Sequence, residues 1–188
     1  MKGYLLMIPF LLMAACSNQV ESEINKQMLD DEVDFSYTIP ELDGYLITKI
    51  DVSPRGGDVS RIDIYYTDVD NVDDDRQLLD AEEEYDEEFN IRTVYGPYEE
   101  WAEHGIVLIQ SPKELGYSYN EVIEVEGREV PYNHTKSGKE SIIAFELTTE
   151  ETYYYGTIFN VKDNPSDRQI RRSISPIFEQ ILEEYGEE

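Results

Sequence analysis

The feature that most constrains this chain is an alternation of apolar and polar side chains through most of residues 45–161. This period-two spacing gives a strand one apolar face and one polar face, as in antiparallel sheets with one side in water. Between the strands, Asn133–Lys139 is predicted to be a polar loop. The predicted strands are Tyr45–Ser53, Val59–Thr67, Phe89–Tyr95, Ile106–Ile109, two short strands within Val122–Val130, Ser141–Leu147 and Tyr153–Val161.

The last predicted element is a helix from about Ser166 to Tyr185, where the apolar residues change to helical spacing. Its arginines lie near the start and its glutamates near the end, which is the reverse of the arrangement that the helix dipole favours. Packing on the sheet must therefore stabilise this helix. Pro176 removes one backbone hydrogen bond and predicts either a kink or two abutting helices. The sequence therefore predicts an α+β fold, a curved antiparallel β-sheet covered by a C-terminal amphipathic helix. The helix's apolar stripe comprises Ile170, Ile174, Ile177, Phe178, Ile181, Leu182 and Tyr185.

The charge of the chain restricts its partners. Asp and Glu number 42 against 15 Lys and Arg, a formal net charge of -27. Nucleic acid is excluded as an expected partner, because phosphate binding needs a basic surface. A surface with this charge attracts cationic partners instead, so we expect a basic protein or peptide.

The first residues have the pattern of a secretory signal, with Lys2 before an apolar core that is too short to span a bilayer. Leu12-Met13-Ala14-Ala15-Cys16 resembles the bacterial lipobox, although Met13 stands where leucine is usual. The sequence therefore predicts acylation of Cys16, the chain's single cysteine. The alternative is an ordinary cleaved signal.

The predicted organisation has three parts: a lipoprotein signal peptide over residues 1–15, an acidic tether over 16–32 and a single α+β domain over 33–185. Helical spacing of apolar residues allows a short helix in the tether. An acylated Cys16 would anchor the chain to the outer face of a cell membrane, with fatty acyl chains as its membrane contact. The oligomeric state is not predicted.

An acidic block, Asp68–Glu88, contains the best candidate metal site. Asp68, Asp70 and Asp73 offer closely spaced carboxylates, and Ca²⁺ prefers six to eight oxygen ligands. The spacing does not match an EF-hand, which has glycine where this chain has Asp73. The alternative is a solvated acidic loop, with no cofactor.

No catalytic motif is found in the sequence. His104 and His134 lie in polar stretches predicted to be exposed turns, outside any metal-binding motif. The leading hypothesis is a non-enzymatic binding or sensor module, and a hydrolase with paired carboxylates is the alternative, since that chemistry needs only two acids. Six tyrosines are candidates for a binding surface or for ordinary strand positions: Tyr117, Tyr119, Tyr132, Tyr153, Tyr154 and Tyr155.

The layout over about Val33–Leu182 resembles small sheet domains of Gram-positive lipoproteins, themselves similar to the LolA and RseB lipoprotein carriers and sensors. Trp101, Gly105 and the closing helix are the features that match. The resemblance implies a half-barrel with a helical lid and adds an acyl-chain carrier to the alternatives. It implies no catalytic residues.

Overall fold

The computed structural model describes residues 26–72, 87–96, 105–137, 140–161 and 164–185. In these ranges, eight strands form one antiparallel sheet in the order β3-β1-β2-β4-β8-β7-β6-β5. Helix α1 (Lys26–Glu32) precedes the sheet and α2 (Asp167–Tyr185) follows it. The strands are β1 (Tyr45–Ser53), β2 (Arg61–Asp68), β3 (Arg92–Tyr95), β4 (Ile106–Ser111), β5 (Glu121–Val125), β6 (Arg128–Ser137), β7 (Glu140–Thr148) and β8 (Tyr153–Ile158).

The predicted α+β class is confirmed, because an antiparallel sheet and a C-terminal helix make up most of the described residues. Strand alternation separates the two faces of the sheet. One row across the strands is apolar and reads Ile50, Ile64, Leu108, Gly156 and Phe145. The next row, on the opposite face, reads Asp51, Asp63, Ile109, Tyr155 and Glu146.

The segment before β1 packs on the apolar face. Leu29 of α1, in the stretch predicted as a tether, is buried in the hydrophobic core. Gln110, buried on the same face, binds both backbone groups of Thr38: its Oε1 accepts the N–H at 2.9 Å and its Nε2 donates to the carbonyl at 2.5 Å. The Tyr66 hydroxyl donates to the Pro40 carbonyl at 3.0 Å. These bonds hold the segment to the sheet.

Helix α2 supplies the rest of the core. It runs as one helix with Pro176 inside it, so proline does not divide it into two. Five of its apolar residues are buried in the same hydrophobic cluster as strand residues of the apolar face, and the helix packs against β5. They are Ile170, Ile174, Ile177, Phe178 and Ile181.

The prediction of a polar loop over Asn133–Lys139 is wrong, because β6 continues through Ser137 and pairs with β7. The polar side chains in this part of the strand have specific partners. Asn133 bonds to the backbone of residues before β5, and His134 lies 2.6 Å (Nε2 to Oγ) from buried Ser141. His134 is therefore a half-buried strand residue and not an exposed turn residue.

Candidate functional site: the polar face of the sheet

Four charged residues form an ion-pair ladder on the polar face of the β1–β2 hairpin: Lys49, Asp51, Arg61 and Asp63. The two aspartates stand directly opposite each other in the strand register. Lys49 Nζ lies 2.7 Å from Asp51 Oδ2. Arg61 donates from Nε and Nη2 to the two oxygens of Asp63, at 2.6 and 2.7 Å. Each aspartate thus has its own cation, two residues earlier in the same strand.

Both aspartates are buried although they lie on the polar face. Asp51 is 2% exposed and Asp63 is 7% exposed. Burial raises the pKa of Asp63, Arg61 opposes this increase through its hydrogen bonds and charge, and the charge of Asp51 adds to it. The Thr93 hydroxyl donates to Asp51 Oδ1 at 2.8 Å, which extends the ladder to β3.

A second cluster on the same face is built around Tyr155 of β8. Residues 112–120, which we call the strap, connect β4 to β5. The Leu115 N–H donates to the Tyr155 hydroxyl at 2.7 Å. The Tyr117 ring packs edge-on against the Tyr155 ring, with centroids 5.1 Å apart and planes at 71°. The strap therefore lies against the centre of the polar face.

The strap is also bound to β6. Asn133 donates through Nδ2 to the Ser118 carbonyl at 2.7 Å and accepts the Asn120 N–H at 2.8 Å. This bidentate amide contact satisfies strap backbone groups that otherwise would need water. With its contacts to Tyr155 and Asn133, the strap is fixed at both β8 and β6.

Two carboxylates complete this second cluster. Burial raises the pKa of Glu146, and the charge of Glu114 on the strap raises it further. The pKa of Tyr119 is also raised, first by burial and then by the charge of Glu146. We call Tyr117, Tyr119, Tyr155, Glu146 and Glu114 the tyrosine–carboxylate cluster. Aromatic faces beside carboxylates attract organic cations such as lysine and arginine side chains.

The structure divides the six tyrosines of the sequence-predicted binding surface. Tyr117, Tyr119 and Tyr155 come together on the polar face, and Tyr153 is half-buried at the start of β8. Tyr132 and Tyr154 are instead buried in the hydrophobic core. Sequence reasoning missed Glu146, Glu114 and the ion-pair ladder.

A sequence signal for the ladder does exist. Lys49 and Asp51 have opposite charges two residues apart in one strand, and Arg61 and Asp63 repeat the pattern in the next strand. Such spacing places both charges of a pair on the same face of a strand.

The candidate calcium ligands lie at the end of β2. The Asp68 carboxylate accepts the Asp70 N–H at 2.9 Å and so caps a short 3₁₀ turn, Val69–Asn71. Asp70 is exposed in that turn, and Asp73 lies outside the described residues. In the part of the chain that is described, no three His, Cys, Asp or Glu side chains gather around a common point that could hold a metal ion. A calcium site that includes Asp73 stays a prediction.

Cys16, Trp101 and His104 lie outside the described residues. Gly105 is described: the Tyr45 ring lies against its Cα, where an added Cβ would come within 2.6 Å of a ring carbon. Within the described ranges, the helices are too short or too polar for any of them to span a bilayer.

Comparisons of the chain with known protein families, with curated proteins and with solved structures gave no significant match. The similarity to the LolA and RseB proteins therefore stays a prediction from the layout of the sequence.

Proposed function

We propose that this chain is a non-enzymatic binding module, held at the outer face of a cell membrane through an acylated Cys16. Its polar face would receive a cationic protein or peptide. The observation that carries the proposal is the tyrosine–carboxylate cluster, which combines the exposed Tyr117 ring with two interacting carboxylates, Glu114 on the strap and Glu146 opposite Tyr155. Tyr117 is 50% exposed although its ring packs on Tyr155, and the net charge of -27 attracts cations to the molecule.

The ion-pair ladder favours binding over hydrolysis. Carboxylate-pair hydrolases need one acid free to donate a proton and another free to attack or to activate water. Among the described residues, Asp51 and Asp63 are buried acids that stand opposite each other. Each forms a salt bridge, Asp51 with Lys49 and Asp63 with Arg61, so neither carboxylate is free for such a role. Each cation neutralises the buried aspartate of its own strand, so that the two carboxylates can stand opposite each other in the β1–β2 hairpin.

The packing of the apolar face favours a filled core over an acyl-chain carrier. We propose that α2 covers this face of a curved sheet beside β5, while the segment before β1 covers it near β4. The support is that buried residues of α2 and Leu29 belong to one cluster with the strand residues. A carrier would instead need an open cavity between the helix and the sheet.

Binding can be measured by calorimetry with a soluble form that begins after Cys16 and a lysine-rich peptide. We expect measurable affinity that weakens as NaCl increases, since screening shortens the range of charge attraction. Tyr117→Ala and Glu146→Gln should weaken binding severalfold. Glu41→Gln is the matched control, because it removes the same charge from an exposed position in the segment before β1. Equal affinity of all four proteins would contradict the proposed site.

A further inference from the structure

Strand β5 forms one edge of the sheet, and its hydrogen-bonding register can be derived from its hairpin. The loop between β5 and β6 has two residues, Glu126 and Gly127, with φ of 47° and 76°. Two positive φ values define a type I′ turn, whose flanking residues exchange hydrogen bonds. From this closing pair, hydrogen-bonded and non-hydrogen-bonded pairs alternate along the ladder.

The alternation assigns Val122 and Glu124 to non-hydrogen-bonded pairs. Their partners in β6 are Pro131 and Glu129. Pro131 has no N–H, so a position without ladder bonds to β5 suits it. The N–H and C=O groups of Val122 and Glu124 therefore point away from β6, toward the open side of the edge.

These outward groups have no backbone hydrogen-bond partner among the described residues. The edge is also accessible, since Val122 is 61% exposed and Glu124 is exposed. Unpaired edge groups of this kind accept an additional strand.

The negative charge on this edge favours an added strand that carries basic side chains. Glu124 and Glu129 face each other in a non-hydrogen-bonded pair, where side chains come closest and like charges repel. Both are exposed, and neither forms a salt bridge in the part of the chain that is described. A lysine or arginine placed beside Glu124 on an added strand would relieve that repulsion. A second copy of β5 would add more glutamates.

We infer that β5 binds an extended basic segment of a partner protein by strand addition. The inference rests on the proposed function and specifies the form of the partner. Backbone bonds to Val122 and Glu124 provide the register, and a basic side chain of the added strand lies beside Glu124, on the side away from Glu129. The test uses a short peptide of alternating lysine and valine as the probe.

The decisive variant is Val122→Pro. It removes an outward N–H but no bond of the β5–β6 ladder, and proline is tolerated at such edge positions. Val122→Thr is the matched control because it keeps the N–H and the β-branched shape. We expect Val122→Pro to weaken peptide binding by about tenfold or more and Val122→Thr to leave it nearly unchanged. The amide proton of Val122 should exchange more slowly in the complex.

A second measurement removes the dependence on the proline variant's folding. N-methylation of alternate backbone amides of the probe blocks strand pairing and keeps its charge, so the methylated peptide should bind the unmodified protein about tenfold more weakly. Equal binding of the two peptides would overturn strand addition. A dimer formed through β5 that Val122→Pro dissociates would overturn the basic segment as the occupant of this edge. If strand addition were overturned but Tyr117→Ala still weakened peptide binding, the proposed function would stand without strand addition. If the wild-type protein bound neither peptide, both proposals would fall.

Discussion

Gly156 provides the most direct test of how the apolar face is packed. It stands opposite Phe145 on β7 and Leu108 on β4, and a Cβ at this position would lie 2.1 Å from a carbon of the Phe145 ring. The ring is fully buried in the core, and the glycine backbone is held by strands on both sides. Neither group has room to move, so Gly156→Ala should cost about 2–3 kcal/mol, near the upper end for overpacking.

The loss can be measured by thermal and urea unfolding. For a domain of this size, 1 kcal/mol corresponds to a change in Tm of about 2–4 °C, so Gly156→Ala should melt about 4–12 °C below the wild type. Gly56→Ala is the control. Its Cβ would meet nothing within 4 Å and its φ is not positive, so its stability should be unchanged or slightly higher, because alanine restricts the unfolded chain.

A double-mutant cycle identifies the cause. Phe145→Leu removes the ring that the new methyl group would meet, so Gly156→Ala should cost about 1 kcal/mol less in that background. If Gly156→Ala melted at the wild-type temperature, or if the two substitutions were additive, the proposed contact between ring and glycine would be wrong.

Four further predictions concern the anchor, the helix, salt and pH. Cys16→Ala should release the protein from membranes or stall its processing, as shown by fractionation and mature mass. Deleting Ile174–Glu188 removes most of the helix's apolar stripe, at roughly 1.5–3 kcal/mol for each large side chain, so the cooperative melting transition should be lost. The melting temperature should rise between about 0.05 and 1 M NaCl, because salt screens the repulsion among the surface carboxylates. Ca²⁺ should stabilise the protein at lower concentration than Mg²⁺ only if the acidic loop forms a calcium site, and Asp70→Asn should then abolish that difference. Because burial raises the pKa of Asp63 above 3.8, the folded state binds a proton there more readily than the unfolded state. The free energy of unfolding should therefore fall as pH rises through the folded pKa, less steeply in Asp63→Asn.

The strands could be predicted because their apolar side chains recur at every second position and so lie on one face of the sheet. Ile62, Ile64 and Tyr66 show this directly: they occupy alternate positions of the predicted strand Val59–Thr67, and all three are buried. The same reasoning failed at Asn133 and His134. Polar residues predict a loop when their partners are unknown, and here the partners are Ser118, Asn120 and Ser141, which are distant or across a hairpin.

The candidate site was harder to predict for the same reason. Alternation places Asp51 and Asp63 on the polar face but does not reveal that they stand opposite each other or are buried. That depends on the register between two strands, which the pattern within either strand does not encode. The position of Tyr117 against Tyr155 depends similarly on how the strap crosses the sheet.

The position of β8 affects how the chain can fold as it is made. It is the last of the eight described strands in sequence order, yet it lies in the interior of the sheet, between β4 and β7. Strands β1–β2–β4 and β5–β6–β7 can pair within themselves as they emerge from the ribosome, but β4 and β7 each keep an open edge until residues 153–158 arrive. Long-range pairing of this kind slows folding and leaves strand edges exposed in the meantime. Completion of this sheet therefore requires synthesis as far as Ile158, and a translation product that stops before Tyr153 would present the inner edges of β4 and β7 to its surroundings.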